Sequence, residues 1–393
     1  MPAPEITIAP LAAKRVLNFD CWVFRDELVQ KPPGSIENGS PVELIDSNGT
    51  FLAHAFYSTV SHIAARVISR ERAVPPSAKL LDERIRRAIK RRETITGTDA
   101  KRLISSEADE LPGWIVDQYG PFLVLQIRSA GMEAWREALL GILKKQLNPQ
   151  GILERSDKEF RSDEGLTEIT ATHLGQVPER IRITENGLTF LVDPHHGHKT
   201  GFYLDQRETR RWVFDRIQPG QRVLDVFAYT GAFGIGAAAR GANVVSVERQ
   251  EDLQPFAREQ AELNGVSARM QHVTADAFYW LEAKKQSQEK FDWVLLDPPG
   301  LAKGKADLHK ARQALHHLLV NALPLLNPNG TLVLSICTYH LLGVAEEIIR
   351  IAASACKLRV SIRAVTMQAE DHPWILQIPA TRYLVTWMVQ RAE

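Results

Sequence analysis

Cys337 lies forty residues after Asp297 in a chain of 393 residues that holds only two other cysteines, Cys21 and Cys356. Asp297 opens an Asp-Pro-Pro run directly after the apolar stretch FDWVLL, and Cys337 closes the stretch TLVLSI, so both belong at strand ends. A thiolate placed there can add to carbon-6 of a pyrimidine and push electron density onto carbon-5, otherwise a poor nucleophile. It needs neighbouring positive charge or a helix dipole to form readily. Asp297 and the carbonyls beside it, including that of Pro298, are suited to reading the edge of a flipped base where it meets a methyl donor, so both residues also count among the expected donor contacts. Where amino-directed methylating enzymes usually carry an aromatic after the two prolines, this chain has Gly300, which disfavours exocyclic-nitrogen chemistry. The competing reading of Cys337 is a buried strand thiol; Cys356, in an alanine-rich helix, reads as core, and Cys21 lies far from this pair.

A second group lies upstream, where RVLDVF carries Asp225 and runs through Phe227, Ala228, Tyr229 and Thr230 into Gly231. A glycine there lets a ligand approach the backbone, and a helix N-terminus follows. Gly231, Gly234 and Gly236 do not follow the G-x-G-x-x-G order, so a dinucleotide is disfavoured. An acid inside the turn would repel a pyrophosphate but suits a ligand bearing an ammonium and a sulfonium, which S-adenosylmethionine carries. Glu248, 17 residues beyond Gly231, falls where an acid grips ribose hydroxyls, and Asp276, Ala277 and Phe278 offer polar and aromatic contacts to adenine. Taken singly, a strand-end acid is more often a helix cap and a phenylalanine more often core.

These groups need elements to hold them. From residue 222 onward, strands RVLDVF, NVVSVE, FDWVLLD and TLVLSIC alternate with helical stretches at 232–240, 251–264, 306–326 and 343–356, predicting a parallel, doubly wound sheet with its ligand crevice at the strand carboxyl ends. Residues 1–73 read as a small β-rich domain, and 74–185 as a linker helix followed by a central α+β domain. The α/β doubly wound sheet then occupies 186–393. The helix LLDERIRRAIKRR has a narrow apolar stripe of Leu81, Ile85, Ala88 and Ile89.

The chain carries a net charge of +1, but between Arg66 and Arg92 ten Lys or Arg face three acids. A local basic surface of that kind is a candidate nucleic-acid contact, although charge runs are more commonly solvated faces. The scattered cysteines exclude a disulfide framework and a CxxC metal site, which fits a reducing cytoplasm. His195, His196 and His198 sit in a polar loop without sulfur ligands, so no metal is expected. Trp22 and Phe24 are aromatic candidates for base stacking or for core. Neither a secretion signal nor an 18-residue apolar run is present, and no membrane role is expected.

The motifs KTGFYLDQRETR, VLDVFAYTGAFG, LLDPPGLAKGK, SICTYH and DHPW, with CWVF, ERSD and EGL before them, resemble those of the bacterial 23S ribosomal RNA cytosine-C5 methyltransferases that carry a PUA domain. The resemblance spans nearly the whole chain. It implies a PUA-like domain, a central α+β domain and a Rossmann-like domain that takes its methyl group from S-adenosylmethionine. By resemblance, Cys337 matches the catalytic cysteine and Asp297 the carboxylate beside the target base, while Lys199, Thr200, Gly201, Gln206 and Arg207 look like a flap over the donor. Arg84, Arg87, Arg91, Arg155 and Arg161 are the expected RNA contacts, with 23S rRNA as partner and a homodimer left open. The chain departs from the family in ARQALHHLLVNAL at 311–323, in DCWVF and FYSTVSHI, and in having no second cysteine after Pro299. Methylation of uridine C5 or another RNA base, and a non-catalytic RNA-binding or ribosome-assembly factor, are the alternatives.

Overall fold

The computed structural model describes residues 3–30, 32, 34–156, 161–287, 289–302 and 304–392. Pro33 of the PPG turn, Asp157 of ERSD and Lys303 of LLDPPGLAKGK lie outside the described residues. The chain divides into two compact units. The first holds 1–183, 191–204 and 370–381; the second holds 184–190, 205–369 and 382–393.

The first unit contains two sheets. Strands β1 (Glu5–Thr7), β2 (Trp22–Phe24), β3 (Pro41–Ile45), β4 (Phe51–Tyr57) and β5 (Ile63–Ser69) form one, in the order β1-β3-β4-β5-β2, with helix α1 (Pro10–Leu17). Its core includes Val16, Val23, Leu44 and Ala65, together with Ile378 from far along the chain. Trp22 is half-buried, its indole donating to Glu107, and Phe24 packs on His62. Helix α2 (Ala78–Arg91) begins where the Ser77 hydroxyl accepts the Leu80 amide, and it buries Leu81, Ile85 and Ala88. The second sheet takes β6 (Ala100–Ser105), β7 (Trp114–Tyr119), β8 (Phe122–Ile127), β9 (Gly151–Ser156) and β10 (Ile169–Leu174), with helices α3 (Ala130–Ala134) and α4 (Arg136–Leu147). Segment 370–381 is tied to it: the Asp371 carboxylate accepts the Arg102 amide at 2.9 Å, and its carbonyl accepts from the Arg92 guanidinium.

The chain passes to the second unit through the hairpin β11 (Ile181–Glu185) and β12 (Leu188–Val192) and helix α5 (Arg207–Phe214). A seven-stranded sheet follows, from β13 (Arg222–Val226), β14 (Asn243–Glu248), β15 (Met270–Thr274), β16 (Phe291–Leu296), β17 (Leu326–Ile336), β18 (Val360–Met367) and β19 (Val385–Arg391). Helices α6 (Ala232–Ala239), α7 (Leu253–Leu263), α8 (Ala277–Lys285), α9 (Leu308–Ala322), α10 (Tyr339–Leu342) and α11 (Ala345–Ala355) connect the strands. The order β15-β14-β13-β16-β17-β19-β18 places the reversal of strand order between β13 and β16. Strands buried on both faces explain the near-continuous apolar runs in β13 and β16.

The expected parallel sheet holds from β15 to β17; β19 pairs antiparallel with both β17 and β18. An antiparallel return requires no helical crossover, so the alternation that marked the other strands carries no signal for this pair. Helix α6 lies against α5, with Gly236 under Phe214: a Cβ added at Gly236 would sit 1.9 Å from the ring. Gly236→Ala is therefore expected to destabilise by about 1–3 kcal/mol through overpacking. Thermal unfolding of this variant, and its recovery in the Gly236→Ala, Phe214→Leu double variant, measures the effect.

Candidate active site at the strand carboxyl ends

The loop between β13 and α6 is held in backbone conformations that side chains rarely adopt. Phe227 (φ 62°), Tyr229 (φ 51°) and Gly231 (φ 84°) alternate in the left-handed region, presenting a concave turn at the switch point. Strained non-glycine residues of this kind persist where the surroundings over-determine them, and they gather at ligand sites. The loop is pinned from β13, from β14 and from α7. Asp225 accepts the Gly234 amide at 2.9 Å, Glu248 accepts the Tyr229 and Gln250 amides at 2.9 and 3.0 Å, and the Gln260 amide reaches the Thr230 carbonyl.

Asp225 is buried, and burial pushes its carboxyl up to about 7. The Gly234 amide acts in the opposite sense, while the carboxylates of Asp297 and Glu248 raise it further. Beyond them, Asp276 caps α8 by accepting the Phe278 and Tyr279 amides, Ala277 is buried, and the Phe278 ring lies edge-on to Phe227 at 6.2 Å and stacks on His317 at 6.2 Å.

At the other end of the crevice, Cys337 follows the last residue of β17 and is exposed. Its Sγ donates to the Pro298 carbonyl at 4.0 Å, next to Asp297. The Thr338 hydroxyl accepts the Leu301 amide at 3.1 Å and so fastens the stretch after the prolines to the end of β17. Gln206, only 2% exposed, donates its Nε2 to Asp297 Oδ2 at 3.1 Å, while its Oε1 is buried with no hydrogen-bond partner among the described residues. Arg207 is buried and its guanidinium reaches Glu208.

The carboxyl groups of Asp225 and Glu248 beside a strained turn, the first pushed up by burial, suit a ligand that brings positive charge. A matching family model described as S-adenosylmethionine-dependent methyltransferase covers residues 157–361, more than half of the chain. The chain belongs to that family. Residues 6–70 match a PUA-like domain. The methyltransferase is 35% identical over 388 residues to the ribosomal RNA large subunit methyltransferase I of Salmonella arizonae, covering 97% of this chain and 96% of the relative. It is 34% identical over 392 residues to the protein of the same name from Klebsiella pneumoniae, again covering 97% and 96%. In fold it matches a putative SAM-dependent methyltransferase from Streptococcus mutans with a TM-score of 0.84 at 21% identity, across 98% of this chain and 100% of that one.

Several expected contacts fall elsewhere. Arg84, Arg155 and Arg161 are not surface residues awaiting phosphate. Arg84 binds the Glu110 and Ile68 carbonyls, and burial lowers its guanidinium to about 10. Arg155 donates to the Pro194 and Gly197 carbonyls, and Arg161 to the Ile127 and Thr167 carbonyls and to Glu133. Arg66, Arg70 and Arg92 of the basic cluster are likewise tied to Glu164, to main-chain carbonyls and to Asp109. Arg87 and Arg91 do remain exposed.

The flap expectation also changes at Thr200. This residue is fully buried, donating to Asp117 at 2.5 Å and bonded to the Tyr119 hydroxyl at 2.8 Å, which anchors it to β7. Lys199 (φ 55°) is exposed with its ammonium over Tyr203, and a Cβ on Gly201 would strike Val192 and the Asp193 carbonyl. The histidines of the following loop are separately engaged, His195 on the Val177 carbonyl and His198 on the Tyr203 hydroxyl. A pairing that sequence reasoning missed is the Tyr383 hydroxyl donating to Asp205 at 2.8 Å. Its one sequence signal was the position of Asp205 inside KTGFYLDQR.

With a cationic donor seated against Asp225, the raised carboxyl would give binding a pH dependence. Below pH 7 the ligand-free site holds a proton that a cationic ligand displaces, so affinity rises about tenfold per pH unit from pH 5 toward 7 and then levels. Calorimetry in buffers of different ionisation enthalpy should detect the released proton at pH 6, and Asp225→Asn should abolish both the release and the slope. An affinity flat across this range with no proton release would remove Asp225 from donor binding.

Proposed function

We propose that this methyltransferase acts in the cytoplasm on 23S ribosomal RNA and converts a cytosine to 5-methylcytosine through a covalent bond to Cys337. The observation that carries the reading is the thiol at the end of β17 meeting the Asp-Pro-Pro turn at the end of β16, with Sγ 4.0 Å from the Pro298 carbonyl. The large-subunit rRNA methyltransferases to which the chain is about one-third identical support the substrate class.

Asp225, Glu248, the Phe227–Gly231 turn and the Asp276–Phe278 segment would hold S-adenosylmethionine, which supplies an electrophilic methyl group on a sulfonium. Cys337 Sγ adds to carbon-6 of the cytosine and breaks the C5–C6 double bond, placing the electron pair on carbon-5. Methyl transfer to carbon-5 would leave the donor as a neutral thioether; the carbon-5 proton then passes to solvent, its C–H electron pair reforms the double bond, and the Cys337 thiolate leaves. Asp297 stands beside the base, and Pro298 turns its carbonyl to the thiol. Arg87 and Arg91 on α2 remain as surface contacts for RNA phosphates.

Incubation with labelled donor and unmodified large-subunit RNA, followed by bisulfite mapping, tests the reading. A single cytosine becoming resistant is the expected result; label in uridine or adenosine by nucleoside mass spectrometry, or no label at all, overturns it.

A further inference from the structure

The Gln206 side chain is held so that only one kind of group can satisfy it. A carboxylate accepts and does not donate, so the Nε2 end of the amide must face Asp297 Oδ2, and Oε1 is left as an acceptor. That oxygen is buried in a residue only 2% exposed and meets no donor among the described residues. An orphaned acceptor at such depth costs stability unless a ligand fills it. Its place along the sheet says which ligand. The carboxylates suited to a cationic donor stand on β13 and β14, whereas Gln206 is bound to the residue at the end of β16, beside the Pro298 carbonyl that meets Cys337 Sγ.

From this geometry we infer that Gln206 Oε1 accepts a hydrogen bond from the exocyclic amino group of the target base, making Gln206 the residue that selects cytosine over uracil. The inference rests on the cytosine-C5 reading above and deepens it. Cytosine presents an amino donor at position 4 and uracil a carbonyl, and the amide cannot turn to offer its NH2 to that carbonyl without breaking the bond to Asp297. Uracil would therefore set two acceptors face to face in a buried site.

The test is a cycle of two enzymes and two RNAs: wild type and Gln206→Leu, each on RNA with cytosine at the mapped position and on RNA with 2-pyrimidinone, which lacks the amino group. Gln206→Leu should lower kcat/KM about 10–100-fold on cytosine and much less on 2-pyrimidinone, while the donor Kd by calorimetry stays unchanged. The preference for cytosine over uracil should shrink with it. Equal losses on both RNAs would make Gln206 merely a support for Asp297 and overturn the inference. A weakened donor Kd with a flat cycle would overturn it too, by assigning Oε1 to the donor's ammonium. Failure of the wild type to methylate the cytosine RNA would instead count against the cytosine-C5 reading itself. Melting curves of the variant separate any folding loss from these outcomes.

Discussion

Cys337→Ala is expected to abolish methyl transfer while leaving donor affinity within about twofold of wild type. The thiol stands at the β17 end of the crevice, whereas Asp225 and Glu248 stand on β13 and β14 with their own backbone partners, so removing Sγ disturbs none of those hydrogen bonds. Without addition to carbon-6, carbon-5 of a pyrimidine has no electron pair to offer, and the loss should reach at least about 10⁴-fold, equivalent to about 5 kcal/mol of barrier. Because Cys337 is exposed, the variant should melt within about 1 °C of wild type, as substitutions away from the core usually do. Single-turnover transfer from labelled donor and calorimetric donor binding are the two measurements. Retention of more than a tenth of the activity would exclude the covalent route and leave Cys337 as an ordinary strand-end thiol.

Glu185→Ala should cost about 3–5 kcal/mol of stability, enough to unfold a marginal domain, although Glu185 lies at the end of the hairpin strand β11 and outside the seven-stranded sheet. Glu185 and Arg210 are both essentially inaccessible, joined by two hydrogen bonds of 2.6 and 2.8 Å, and the guanidinium also lies 5.9 Å from the Phe233 ring at the start of α6. Truncating the carboxylate takes both of these charge-assisted hydrogen bonds from a buried guanidinium. Replacing both partners, as Glu185→Leu with Arg210→Met, removes the charge along with its need for a partner and should recover most of the loss. Denaturant unfolding of the two single variants and the double variant gives the coupling directly; a double variant as unstable as the sum of the singles would show that the ion pair does not act as a unit.

Much of the methyltransferase sheet was legible because a parallel strand buried on both faces leaves an apolar run, and the helices between leave amphipathic ones. RVLDVF, NVVSVE and FDWVLLD fall on β13, β14 and β16 almost residue for residue, and TLVLSIC lies within β17 and one residue past it. The antiparallel insertion of β19 was not legible, since no α-helix separates β18 from β19. The basic cluster misled for a physical reason. Sequence counts formal charges, but Arg66, Arg70, Arg84 and Arg92 are long enough to carry their guanidiniums inward to carbonyls and carboxylates contributed by other segments.

The sequence by itself determined the family, the turn after β13 and the strand-end positions of Asp297 and Cys337, because each rests on residues close together in the chain or on the regular spacing of strands. Only the tertiary structure decided what depends on partners distant in sequence. It set the burial that raises Asp225, the return of residues 370–381 to the first unit where Asp371 meets Arg92 and Arg102, the anchoring of Thr200 on Asp117, and the bond from Gln206 to Asp297. Hydrogen-bond direction and desolvation are properties of a side chain's three-dimensional surroundings, and segments more than 80 residues apart supply those surroundings at each of these last three places.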